Sequence, residues 1–93
     1  MYYINMNERE LEKTLKAIAN KRRLAILRVI KKEKEANVAD VADKIKLSFK
    51  ATSKHLGILA SVNILEKEQR GLMIFYSISQ SLPPVVRSVL SSL

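Results

Sequence analysis

The chain has 93 residues, of which 17 are lysine or arginine and 9 are aspartate or glutamate, so its formal net charge is +8. This length allows one domain with a modest core, and small chains of this kind often gain stability by dimerising. The excess of cations favours an anionic partner, nucleic acid ahead of a membrane surface. Cysteine is absent, which excludes disulfides, thiol redox switches and thiolate metal ligands.

The cations are clustered rather than mixed with acids. Every charged residue from Lys13 to Lys32 is a cation, and the same holds from Lys44 to Lys54. Solvated outer faces of the first helices are the alternative interpretation of the first cluster. No apolar run approaches the roughly 20 residues that cross a membrane, and residues 1–5 lack the features of a signal peptide. We therefore expect a soluble, cytoplasmic protein with no membrane partner.

Two helices are predicted in the first third of the chain. Asn7 is a candidate N-cap, with Glu10 three residues later to complete a capping box. The apolar residues of this helix recur at helical spacing: Leu11, Leu15 and Ile18. Asn20 is a second candidate N-cap, and the helix after it has a wider apolar face: Leu24, Ile26, Leu27, Val29 and Ile30. We interpret residues 32–35, which alternate in charge, as a solvated connection.

The next two predicted helices are separated by a short turn. Asn37 begins the third helix, and Asp40 supplies an acid in its first turn. Residues 47–49 form the turn, in which Ser48 is placed to cap the fourth helix. A helical wheel predicts one buried face on the fourth helix: Phe49, Thr52, Leu56, Leu59 and Asn63. The opposite face carries small, polar or cationic residues: Lys50, Lys54, Gly57 and Ser61. Ser53 lies beside this face.

A β-hairpin and a final helix complete the predicted elements. Asn63 suits the left-handed position that ends a helix, and residues 64–68 and 72–78 form two strands around the turn at residues 69–71. The second strand is apolar on both faces, as expected of a strand covered by a helix. Pro83 and Pro84 begin a last helix with an apolar stripe: Val85, Val86, Val89, Leu90 and Leu93.

The order helix, turn, helix and hairpin indicates a winged helix-turn-helix, a mainly α domain with a small β-hairpin. We expect residues 1–93 to form this single domain, with about five helices and a two-stranded wing. Lys50 and Lys54 lie one helical turn apart and point the same way, where lysine reaches guanine N7 and O6 or a phosphate. Ser53 is short enough to contact base or backbone.

Two residues of the fourth helix have more than one interpretation. Gly57 costs a helix roughly 1 kcal/mol relative to alanine, which indicates either close approach of DNA to the backbone or, as the alternative, packing tolerance or drift. His55 is the single histidine and lies at the border of the core face. Its candidate roles are packing or phosphate contact, base reading and metal binding, in that order.

Two segments resemble the arsenic-repressor (ArsR) family of dimeric winged-helix transcription regulators. Residues 15–27 resemble the family's opening motif, an apolar LKALA segment followed by an Asp-Pro-Thr-Arg-like cap and LxIL. In this motif Asn20 stands for the capping acid, Lys21 for the proline and Arg23 for the arginine. Residues 47–56 resemble the recognition helix, usually written LSQSTVSRHL, with three direct matches: Ser53, His55 and Leu56. With the wing included, the resemblance covers residues 11–78.

The resemblance implies a homodimer that pairs through its first and last helices. The apolar residues expected at the interface are Leu11, Leu15, Val85, Val86, Val89, Leu90 and Leu93. Tyr2, Tyr3 and Ile4 add further apolar surface, more than one small core needs. The alternative is that both termini pack within one chain.

The sequence departs from the family at its metal sites and its wing. The Cys-Val-Cys positions of the metal sensors fall on Asn37 and Ala39, and residues 81–93 contain no Asp, Glu or His. We therefore expect no metal site and no cofactor. Relatives often carry arginines on the first wing strand, whereas this chain has Glu66 and Glu68 there. The residues expected to contact DNA are Ser48, Lys50, Ser53, Lys54, His55, Gly57, Lys46, Lys67 and Arg70.

We expect a homodimeric regulator of transcription, acting most often by repression, that binds a specific double-stranded DNA site with its recognition helix in the major groove. The alternatives are a winged helix used for protein interaction and an architectural DNA-binding protein without an operator. The acid-free face with Lys50, Ser53 and Lys54 favours DNA. An enzyme is not expected, because the sequence shows no paired acid and base, activated nucleophile or phosphate loop. No residue pattern identifies an effector.

Overall fold

The computed structural model describes residues 6–93, and Tyr2, Tyr3 and Ile4 lie outside this range. The described residues form helices and strands in a fixed order along the chain: α1 (Glu8–Ile18), α2 (Lys21–Glu33), β1 (Glu35–Asn37), α3 (Val38–Ile45), α4 (Phe49–Ser61), β2 (Leu65–Arg70), β3 (Met73–Ile78) and α5 (Pro84–Ser91). This is the predicted winged helix-turn-helix. Within residues 6–93 no helix combines the length and the apolar character needed to cross a membrane.

The four predicted N-caps are confirmed. Each cap side chain accepts a hydrogen bond from the backbone N–H three residues later, which satisfies one of the free donors at a helix start. The N···O distances are 2.8 Å for Asn7, 3.0 Å for Asn20, 2.8 Å for Asn37 and 3.1 Å for Ser48. Asn63 also has the expected positive φ, 61°. These local signals fix where α1, α2, α3 and α4 begin and where α4 ends.

The sheet has three antiparallel strands in the order β1-β3-β2, one more than predicted. The interpretation of residues 32–35 as a solvated connection is wrong. Lys32 and Glu33 end α2, and Glu35 begins β1, whose register pairs it with Ser77. The hairpin turn is also shorter than predicted, residues 71–72 instead of residues 69–71, because Gln69 and Arg70 belong to β2 and Arg70 pairs with Met73.

The core lies between the sheet and the helices, and α4 contributes one side of it. The largest fully buried side chains of the core are Ile26, Leu27, Ile30, Leu56, Leu59, Ile64, Val41, Val86 and Thr52. Two predicted members of the buried face of α4 are instead exposed, Phe49 at 60% and Asn63. Phe49 is the first residue of its helix and lies beside the wing, and Asn63 follows the end of α4, so neither reaches the core.

The wing extends beyond the helices that cover the rest of β3. Leu72 at its tip is fully exposed, and Met73 and Ile74 are also exposed, whereas Tyr76 is buried. The expectation of a strand covered by a helix is therefore wrong for residues 72–74. Only its second half packs against helices.

The last helix packs into the core of its own chain with one side of its stripe. Val86 and Leu90, expected at a dimer interface, are 0% and 6% exposed and contact the core. They are therefore not available to a partner, because α5 needs them to hold its place against α2. Nζ of Lys31 in α2 donates to the carbonyl of Leu90 at 2.8 Å and fixes the end of α5. Of the other residues expected at the interface, Leu15 is exposed. The remaining four are half-buried: Leu11, Val85, Val89 and Leu93.

Candidate nucleic-acid interface

One face of α4 is anchored in the core and the other is open to solvent. Leu56 and Leu59 are fully buried. On the opposite side Lys50, Lys54 and Gly57 are exposed, as the helical wheel predicts. The core anchor holds the helix still, and the exposed face carries two cations one helical turn apart. The structure therefore presents a narrow, basic helix face of the kind that enters a major groove.

The turn before α4 adds polar groups at its N-terminal end. Lys46 ends α3 in the left-handed conformation, with φ 57°. The N–H of Leu47 donates to the carbonyl of Ala42 at 3.0 Å and closes the turn. Ser48 then begins α4, so the exposed side chains of Lys46 and Ser48 stand beside the helix N-terminus. Backbone N–H groups and the helix dipole favour phosphate at such a position.

His55 is half-buried and is held by Arg23 of α2. Nη1 of Arg23 lies 3.1 Å from Nδ1 of His55, and Nε of Arg23 donates to the carbonyl of Ala17 at 2.5 Å. A guanidinium can only donate, so Nδ1 accepts and the neutral ring carries its proton on Nε2. His55 thus has a packing role, and its Nε2–H has no acceptor among residues 6–93.

The pKa of His55 shows that the cations of α2 and α4 lie close together. Burial lowers the pKa of His55 most, and the positive charges of Arg23, Lys54 and Arg22 lower it further. The cations of α2 and α4 therefore lie close enough to act on one side chain. Arg22 and Arg23 are residues that sequence reasoning did not assign to the site, although the basic run from Lys13 to Lys32 was the signal that contains them.

Gly57 is not required by packing within the described chain. A Cβ atom built on Gly57 meets no atom within 4 Å, and the residue has ordinary helical backbone because its φ is not positive. The chain itself would accept alanine there, with a gain in helix stability. Packing within the described chain is therefore not the reason for this glycine, and the open space around it leaves room for a partner to approach the α4 backbone.

Arg70 of the wing is occupied by carboxylates. Its guanidinium makes a two-point contact with Glu35 at 2.7 and 2.8 Å, donates to Glu68 at 2.7 Å and stacks on the ring of Phe75 at 4.6 Å. The two glutamates raise the pKa of Arg70, and the hydrogen bonds with Glu35 contribute most. The donors expected to reach a phosphate are thus used to tie β1 to β2. Lys67, opposite Tyr76 in the register, remains exposed as the cation of the wing.

The structure does not bring all predicted residues to one surface. The DNA set gathers on α4, the turn before it and the wing, while the exposed or half-buried residues expected at a dimer interface lie on α1, on α5 and at Leu93 after α5. Within residues 6–93 no three His, Asp or Glu side chains are grouped closely enough to hold a metal ion. The expectation of no metal and no cofactor stays a prediction.

Comparisons with curated proteins identify two related regulators. The transcriptional activator HlyU of Vibrio cholerae is 32% identical over 83 residues, which cover 82% of this chain and 76% of HlyU. A homologue of the cadmium resistance regulator CadC from Staphylococcus aureus is 32% identical over 72 residues, covering 77% of this chain and 60% of that protein. No family model matches the sequence.

Solved structures of transcription regulators, including HlyU itself, have folds similar to that of this chain. Reduced HlyU from Vibrio cholerae has a TM-score of 0.76 at 29% identity, covering 94% of this chain and 87% of HlyU. The repressor PagR of Bacillus anthracis has a TM-score of 0.74 at 28% identity, covering 90% and 92%. The homodimeric winged helix-turn-helix domain Mb0332 of Mycobacterium bovis shares the fold, with a TM-score of 0.75 at 23% identity and coverage of 96% and 84%. The chain belongs to the ArsR family of winged helix-turn-helix transcription regulators.

Proposed function

We propose that this chain binds a specific double-stranded DNA site as a homodimer and regulates transcription there, with α4 in the major groove. The observation that carries the proposal is the exposed, acid-free face of α4 with Lys50 and Lys54, backed by a core-anchored opposite face. Repression is the proposed mode, since PagR is a repressor, with activation as the alternative because HlyU is an activator. We propose no catalytic role and no effector.

The proposed contacts divide by reach and by position. Lys50 and Lys54 read base edges, and Ser53 beside them contacts base or backbone. Other groups bind phosphate around the helix: Lys46 and Ser48 at its start, the Nε2–H of His55 along its side and Lys67 from the wing. Arg70 organises the wing, because its donors are already paired with Glu35 and Glu68.

The proposed dimer surface is the exposed or half-buried apolar part of α1 and α5. Leu15 of this surface is 41% exposed, and its other members are half-buried: Leu11, Val85, Val89 and Leu93. An aspartate at the half-buried Val89 would be desolvated without a partner, so Val89→Asp gives monomer or unfolded protein. Wild-type protein that is monomeric by light scattering at tens of micromolar would contradict the homodimer.

Selection of bound duplexes from a random pool tests the proposal as a whole. A dimer with two α4 helices predicts a motif of two half-sites related by a two-fold axis, one helical turn apart or a multiple of it. Enrichment without a motif would indicate an architectural DNA-binding protein. No binding at all would leave a winged helix used for protein interaction.

A further inference from the structure

A groove of about 1000 Å³ runs along α2, from the α1–α2 turn to the end of α3 and the C-terminal residue. We call it the basic groove and define it by an apolar floor, Leu24, Val29 and Leu93, and a cationic rim, Lys21 and Arg28. Among residues 6–93, neither Lys21 nor Arg28 has an ion pair. The two other cations of the rim are engaged, Arg22 with the carbonyl of Ile45 and Lys44 with Glu33.

The neighbouring face of α1 has the opposite character. We call it the acidic ridge and define it by Glu8, Leu11, Glu12 and Leu15, which share one helix face. These four residues line one surface cleft together with Lys16 and Ala19. Leu15 is 41% exposed, so the apolar part of the ridge is open. Glu12 has only a loose contact with Lys16 of the same helix, at 3.8 Å and with both side chains largely exposed.

We infer that the acidic ridge of each protomer lies in the basic groove of the other, an inference that rests on the proposed homodimer. The match has two independent parts. The leucines of the ridge correspond to the apolar floor, and its glutamates correspond to the rim cations Lys21 and Arg28. Neither surface alone says what covers it, but the ridge supplies carboxylates to the rim cations, and the apolar groups of the two surfaces cover one another.

The position of the two surfaces suits a two-fold dimer. Ala19 lines both the ridge cleft and the basic groove, so the two surfaces adjoin at this residue. A two-fold axis passing near Ala19 exchanges them, which places each ridge over the groove of the other copy and forms two identical contacts.

Charge explains why this pairing is needed. Each chain carries a formal net charge of +8, so two copies repel one another at long range. An interface in which groove met groove would bring Arg28 and Lys21 against their own copies. The ridge brings two carboxylates to those cations, and DNA in the groove would leave the apolar floor of Leu24, Val29 and Leu93 unmatched.

Charge reversal in the 93-residue chain tests the inference. Glu12→Arg and Arg28→Glu each place like charges at both contacts, so the dimer dissociation constant rises at least roughly tenfold in either variant. Mixing the two singly substituted chains restores dimerisation. In the heterodimer the two substituted side chains meet at one contact with their charges exchanged, and the native pair of Glu12 and Arg28 forms at the other. Sedimentation velocity gives the constants, and native mass spectrometry identifies the heterodimer.

A matched control and three outcomes complete the experiment. Arg9→Glu makes the same charge change on α1 outside both surfaces and leaves the dissociation constant within about threefold of wild type. Far-UV circular dichroism confirms that the exposed substitutions keep the fold. A wild type that is dimeric while both reversals leave its dissociation constant unchanged overturns this inference and leaves the homodimer standing. Reversals that weaken the dimer but are not rescued on mixing also overturn it, and a monomeric wild type overturns both.

Discussion

Arg23 in α2 and His55 in α4 are joined by a hydrogen bond of 3.1 Å between Nη1 and Nδ1. The same guanidinium donates to the carbonyls of Ala17 and Lys16 at the end of α1. Three helices thus meet at one arginine. Because α4 carries the proposed DNA contacts, this junction sets the position of its basic face relative to the rest of the domain.

The junction predicts a pH dependence of stability. The pKa of His55 is lowered in the folded protein from an unfolded value near 6.5, so below that pH the unfolded chain binds more protons. The contribution of His55 is therefore fully present above about pH 6.5 and is lost as the pH falls through the folded-state pKa. Urea unfolding at pH 7.5, 6.5 and 5.5 should show a decreasing free energy of unfolding.

His55→Gln is the matched variant, because its amide oxygen can accept from Arg23 without titrating. Between pH 7.5 and 5.5 its free energy of unfolding should change less than that of wild type. Parallel curves for the two proteins would mean that the His55 ring does not control this range. Carboxylates such as Glu35, whose pKa is also lowered by Arg70, act at lower pH.

Thr52 predicts a stabilising substitution. Its side chain is fully buried in α4, and its hydroxyl has no hydrogen-bond partner among the described residues. Valine has the same shape and β-branching without the polar atom, so Thr52→Val should raise the free energy of unfolding by about 1 kcal/mol. A loss of stability in Thr52→Val would show that the Thr52 hydroxyl is satisfied in solution.

Ser48→Ala, which removes the hydroxyl that caps α4, should lower the free energy of unfolding by about 1 kcal/mol.

Gly57 predicts opposite effects on folding and binding. Since a Cβ meets nothing within 4 Å in the chain, Gly57→Ala should stabilise the protein by roughly 1 kcal/mol through helix propensity. If DNA approaches this backbone closely, the same methyl group should weaken binding to the selected site at least roughly tenfold. Ser61→Ala, farther along the same face, serves as the control. Unchanged DNA affinity in Gly57→Ala would assign the glycine to neither packing nor recognition.

Local signals predicted most of the helices. The N-cap side chains each accept a hydrogen bond from an N–H three residues away: Asn7, Asn20, Asn37 and Ser48. A few neighbouring residues are therefore enough to predict where these helices begin. The basic face of α4 was predictable for the same reason, because Lys50 and Lys54 are related by helix geometry alone.

Long-range contacts account for what the sequence did not predict. β1 has three residues, too short for an alternating pattern, and exists through its pairing with β3. Arg70 was expected to contact DNA because its ion pair with Glu35 could not be seen in the sequence, where the two residues are 35 positions apart. Phe49 satisfies the periodicity of a buried face, but periodicity does not say where the core ends.

The most direct test of the DNA-binding account is the affinity of wild type and of Lys50→Ala combined with Lys54→Ala, each measured on the selected site and on random duplex across a salt series. If the lysines read bases, each should contribute ~1–3 kcal/mol on the selected site and much less on random duplex. If they only neutralise phosphates, the loss should be equal on both, with the salt slope reduced by about one per lysine in each half-site. Lys32→Ala, an exposed lysine at the end of α2, is the control and should change little. Unchanged binding of the double variant to both duplexes would contradict the placement of α4 in the major groove.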